Sequence, residues 1–199
     1  MMTLIRILSV MMMIGFGVVG AVDAQTDVLE LRRSFMEMIE SDDDLLIEYA
    51  IEEGLSQSDP VIRREAMRKA IVSGNPDFFA QAVAGILNTG SVFLITADPR
   101  VSGRDEDFLK MGIPASIKLR DNSQFNIQGG ELLFTPMSPS SSAWFNCSIS
   151  AAKLNCLDTQ RFLSLKHDGE GNLSGFYRFS WSNGQGVQSI QVPVQLTLF

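Results

Sequence analysis

After Asn88-Thr89-Gly90 the apolar residues of this chain change their spacing, from a period of about 3.6 to a period of about 2. Apolar residues at the longer spacing line one side of a helix, whereas strict alternation lines one face of a strand. The expected fold is therefore α+β. It has an N-terminal small helical bundle of about four helices, followed by an antiparallel β-sandwich or partly open barrel. The helical segment covers 25–90 and the β-rich segment 91–199. The sequence leaves open whether these are two domains or whether the helices pack directly on the sheet.

Helix-start chemistry divides the first segment. The first helix is expected over Val28 to Glu40 and the second over Leu45 to Glu53, with Ser41 and the Asp42-Asp43-Asp44 run supplying caps and first-turn negative charge. Asp59-Pro60 and Asn75-Pro76 each place a capping side chain before a proline at the first helical position. In the last helix Phe78, Phe79, Ala82, Val83, Ile86 and Leu87 share one face, a stripe that needs packed neighbours.

Strands are expected at Val92–Ile95, Ser116–Leu119, Ser123–Gln128, Glu131–Thr135, Ala143–Ile149, Lys153–Leu157, Phe162–Lys166, Leu173–Trp181 and Ser189–Phe199. A charged loop with a short helical turn near Phe108 and Leu109 fills the stretch from Asp98 to Pro114. Asn183-Gly184 marks a hairpin between the two longest strands. On those strands Leu173, Gly175, Tyr177, Phe179 and Trp181 should meet Ile190, Val192, Val194, Leu196 and Leu198 in a core. Pro193, on the wet side, points to an edge position or a bulge.

Met1 to Ala24 reads as a cleavable secretory signal. It has one early cation, Arg6, a charge-free run from Ile7 to Val22, and the small-residue pattern Val22-Asp23-Ala24. The run is shorter than the roughly 20 apolar residues a membrane-spanning helix needs, and no second long apolar run follows, so no transmembrane segment is expected in the mature chain. Cleavage leaves 175 of the 199 residues, enough for one ordinary domain or two small ones. The expected location is exported, in a bacterial periplasm or secreted. In that setting Cys147 and Cys156 read as one disulfide, facing each other across a hairpin folded about Ala151-Ala152. Ala-Ala lacks the Gly or Asn that tight hairpin turns prefer, so a longer loop with shifted register stays open.

A net charge of −7, with no dense Lys/Arg tract, argues against nucleic acid as a partner. Acidic residues gather on the first two helices, while Arg63, Arg64, Arg68 and Lys69 gather on the third. The four cations form a candidate docking stripe for an unidentified protein partner, or else a face that meets water and its acidic neighbours. From Asp59-Pro60-Val61-Ile62-Arg63-Arg64-Glu65-Ala66 through Ala70-Ile71 to Asn75-Pro76 and a second amphipathic helix, residues 59–88 resemble a HEAT or armadillo helical hairpin. The resemblance implies a right-handed stack of helix pairs that offers a face to a protein, and it implies no catalysis.

The search for chemistry finds little. The single histidine, His167, and the paired cysteines leave no usual zinc set, and no metal site or cofactor is expected. No nucleophile elbow surrounds a serine, and no phosphate-cradling glycine loop precedes a helix. Asp105, Glu106, Asp107, Asp158, Asp168 and Glu170 could supply a glycosidase pair. Asp168-Gly169-Glu170-Gly171-Asn172 starts like a calcium loop and then departs from it at Leu173, so it reads as a β-turn. Trp144 should point away from the core, beside Asn146 and Ser148, either covered by the helical half or by the Ser138–Ser142 loop, or open as a candidate stacking surface for a glycan or a partner. The expected function is an exported, non-enzymatic protein-interaction or scaffolding module. The alternative is a carbohydrate-binding or glycosidase-like domain.

Overall fold

The computed structural model describes residues 27–97, 113–121, 123–136, 142–184 and 186–199. The signal-like segment, the turn expected near Phe108, the carboxylates Asp105, Glu106 and Asp107, and most of the Ser138–Ser142 stretch lie outside them. Four helices come first: α1 (27–39), α2 (Asp44–Ser56), α3 (Pro60–Val72) and α4 (Pro76–Leu87). Their caps follow the sequence rules. Asp43 accepts the Leu45 N–H, Asp59 those of Val61 and Ile62, and Asn75 those of Asp77 and Phe78. α3 packs between α2 and α4. Gly54 lets α2 approach closely: a Cβ there would lie 2.6 Å from the Ala66 Cβ and 2.7 Å from the Phe35 ring.

Eight strands follow: β1 (Phe93–Ala97), β2 (Pro114–Leu119), β3 (Gly129–Pro136), β4 (Ala143–Ser150), β5 (Lys153–Leu157), β6 (Arg161–His167), β7 (Leu173–Asn183) and β8 (Gly186–Leu196). Each pairs antiparallel with the next, and β8 returns to β1 through Ile95↔Leu196, so the sheet is a closed up-and-down barrel. It is neither a sandwich nor a partly open barrel, because that last pairing joins the first strand to the eighth. Residues 123–128 form no strand. Asn126 instead anchors a turn, its side-chain oxygen accepting the N–H groups of Gln128 and Gly129 at 2.9 and 3.0 Å, while Phe125 is buried.

The two expected inward sides of β7 and β8 face each other, with Leu173↔Leu196, Gly175↔Val194, Tyr177↔Val192 and Phe179↔Ile190, while the last pair, Asn183↔Gly186, puts Asn183 in the strand rather than in the turn. Pro193 is neither on an edge strand nor in a bulge, for its pairing with Phe176 runs without a shift. The Thr197 N–H donates to the Leu94 carbonyl of β1, so by alternation Pro193 turns its missing N–H toward the same side, past Ala97↔Val194, the last β1 pair among the described residues.

Cys147 and Cys156 are directly opposite and disulfide-bonded, with Cα atoms 4.0 Å apart. The turn is the two-residue one. Ala151 and Ala152 both take positive φ, 48° and 54°, the type I′ geometry that glycine and asparagine adopt more readily. Each alanine there costs about 1–2 kcal/mol. Ala151→Asn together with Ala152→Gly is therefore expected to raise stability by about 1–2 kcal/mol, a few degrees in a thermal melt. An unchanged melting temperature would contradict the turn geometry.

The meander puts the start of β1, residues 120–121 and 123–128, the Ala151-Ala152 turn, the 168–172 turn and Leu198-Phe199 at one end of the barrel, and the bundle sits on that end. The Asn88 side chain joins the two parts: its amide donates to the Phe125 carbonyl at 2.7 Å and its oxygen accepts the Phe125 N–H at 2.9 Å. Buried apolar residues of bundle and barrel form one contiguous cluster. Inward positions are apolar, as with Leu132, Phe145, Leu163 and Leu196, while outward positions such as Asn146, Ser148, Gln191 and Gln195 are polar and exposed. A lipid-facing barrel has the opposite arrangement. Among the described residues no helix is long and apolar enough to cross a membrane.

Candidate functional site

α3 buries Ile62, Ala66, Met67, Ala70 and Ile71, and the face that carries Pro60, Arg63 and Arg64 beside Met67 adjoins them at helical spacing. That face, the C-terminal turn of α4 and the barrel rim enclose a groove of about 500 Å³. Met67, Ile86, Phe93 and Leu198 supply apolar lining, Phe199 contributes a ring that is 40% exposed, and Arg63 and Arg64 supply the cations. Arg64 has only a 3.5 Å contact to its neighbour Glu65, and Arg63 has no carboxylate partner among the described residues. The groove can take an apolar group with a carboxylate beside it.

The four cations of the candidate stripe divide between two clefts, Arg63 and Arg64 at the groove and Arg68 and Lys69 at another. Arg68 turns toward the barrel, its guanidinium 5.5 Å from the Phe199 ring centre and its stem against Gly171, while also 3.5 Å from Glu65. Lys69 and Arg68 line a second, smaller cleft with Glu40, Glu65 and Glu170. The sequence held a signal for this division: at about 100° per residue, positions 63, 64, 68 and 69 spread over some two-thirds of the helix circumference.

Trp144 points outward as expected and is 44% exposed. Its cover is Arg120, whose guanidinium lies 5.0 Å from the indole centre and also binds Glu131 at 2.6 Å. The sequence reading did not find Arg120, because Arg120 and Trp144 become neighbours only through the β2–β3 and β3–β4 pairings.

Two of the candidate acids, Asp168 and Asp158, are occupied. Asp168 accepts the N–H groups of Glu170 and Asn172 and the Gln195 amide, and although burial pushes its carboxyl up, these donors outweigh burial and hold it below its ordinary range. Its role is that of a turn anchor. Asp158 accepts the backbone N–H groups of Gln160 and Arg161 at 2.8 and 2.7 Å, and pairs with the Arg161 side chain at 2.7 Å. Arg161 in turn lies 5.1 Å from the Phe145 ring centre and hydrogen-bonds Tyr177, a phenol that burial pushes well above its ordinary range. This Asp158–Arg161–Tyr177 set at the barrel end away from the bundle is a spatial arrangement that sequence spacing does not show. His167 has its Nδ1 buried with no hydrogen-bond partner among the described residues. No group of three or more metal-ligating side chains occurs among the described residues. Compared with known protein families, characterised proteins and solved structures, the chain has no match.

Proposed function

We propose that this chain is an exported, non-enzymatic protein-interaction module that holds a protein partner in the groove between α3, α4 and the barrel rim. One observation carries this reading: exposed arginines with little internal pairing stand over an apolar floor in a concave surface. Such a surface suits an acidic, apolar protein segment, with complementary charge steering the encounter and buried apolar contact providing affinity. The cross-strand disulfide supports an oxidising compartment, periplasmic or secreted.

The test is photo-crosslinking in the native compartment from a reactive residue placed at Ser91, which is exposed and lines the groove. A discrete protein adduct is expected, lost in the Arg63→Glu/Arg64→Glu variant and kept in Trp144→Ala. An adduct indifferent to the arginine reversal would reject the groove. Loss of the adduct in Trp144→Ala alone would move the interaction to the outer face of β2–β4, the surface on which the carbohydrate alternative rests.

A further inference from the structure

The groove and a stripe on α2 match in chemistry, yet within one chain they cannot meet. At about 100° per residue, Leu45 and Tyr49 stand one turn apart on the side of α2 opposite Ala50, Ile51 and Gly54, which are buried in the bundle. Leu45 is 77% exposed and Tyr49 53%. Glu48 and Glu52 flank the pair on one side and Glu53 on the other. Isolated exposed apolar residues are ordinary, but two on successive turns, with Leu46 exposed beside them, make a patch. An apolar i, i+4 pair framed by acids is the anchor pattern of a helix laid into a groove. The groove on α3 offers the complement, an apolar floor with Arg63 and Arg64 beside it. The α2 stripe points away from α3 and so cannot reach the groove of its own chain.

We propose that the occupant of the groove is α2 of a second copy of this chain. Leu45 and Tyr49 of one copy sit on the apolar floor of the next, and Glu48 and Glu52 pair with its Arg63 and Arg64. The inference rests on the groove reading above and narrows its partner to the chain itself. Each copy gives one surface and receives on another, so two copies exchange stripes reciprocally or successive copies join head to tail.

Sedimentation equilibrium of the exported chain over a range of concentrations tests it. The wild type is expected to self-associate. The variants Leu45→Ser/Tyr49→Ser and Arg63→Glu/Arg64→Glu are each expected to weaken association by about tenfold or more. All four side chains are exposed, and circular dichroism verifies that both variants keep the fold. The decisive arm is an equimolar mixture of the two variants. One keeps a working groove and the other a working stripe, so the mixture should form a one-to-one dimer and nothing larger. A wild type that stays monomeric at every concentration, variants that associate like the wild type, or a mixture that stays monomeric would each overturn the proposal. Failure here is separable from failure of the groove reading. A monomeric wild type with a Ser91 adduct of another protein's mass overturns self-docking alone, whereas self-association without any Ser91 adduct overturns both.

Discussion

Gly175→Ala is expected to destabilise the fold by about 4 kcal/mol, the largest effect of any single methyl group considered. Gly175 is an inward position of β7, paired with Leu165 of β6, and a Cβ built on it would overlap the Ser164 carbonyl oxygen and crowd the Leu165 Cα at 3.1 Å. The obstacle is backbone, so no rotamer change relieves it. Either β6 and β7 separate, breaking ladder hydrogen bonds, or β7 shifts and disturbs Tyr177 and Leu173, which are buried at 1% and 0% exposure. Strands that coil tightly around a small barrel need such a position, where one backbone passes close to another. Urea titration should show a much lower midpoint with an unchanged slope. Gly184→Ala is the control: nothing lies within 4 Å of a Cβ there, and its effect should stay within about 0.5 kcal/mol. A Gly175→Ala protein that unfolds with the wild type would mean that β6 and β7 do not approach as described.

Asn88→Ala is expected to cost about 2 kcal/mol, since Asn88 is exposed and its two bonds to Phe125 are part-buried. The Asn88 amide serves both the N–H and the C=O of Phe125, whose ring is 2% exposed. Truncation strands a donor and an acceptor together, each costing about 1–3 kcal/mol if water cannot replace the amide. Asn88→Asp separates the two terms, since it keeps an acceptor for the Phe125 N–H and loses the donor to its carbonyl. The expected order of stability is wild type, then Asp, then Ala. Hydrogen exchange at the Phe125 amide should accelerate most in the alanine variant. If that amide exchanges at the wild-type rate in Asn88→Ala, Asn88 does not join the bundle to the barrel.

These two residues show where sequence reading stops. Asn88 marks a boundary in the sequence, and its bond to Phe125 spans 37 positions that no local rule connects. Gly175 reads as one more member of an inward-facing strand side, with nothing to announce the Ser164 carbonyl beside it. Alternation alone turns Trp144 outward, while nothing local links it to Arg120. The cap and proline of the third helix are legible in the sequence, and helical angles set Lys69 apart from Arg63.

What the sequence determined by itself is what a few neighbouring residues decide. Caps, helix faces, the disulfide across the Ala151-Ala152 turn and the inward faces of β7 and β8 all follow from backbone geometry repeated over short distances, where the alternatives would bury charge or expose an apolar face. Tertiary structure alone decided that β8 closes on β1, that the bundle seats on one end of the barrel, and that Arg63 and Arg64 stand over a groove partly lined by Leu198 and Phe199. Those outcomes depend on pairings between residues about a hundred positions apart. Their energies come from packing and from the removal of free sheet edges, and neither leaves a periodic trace in the chain.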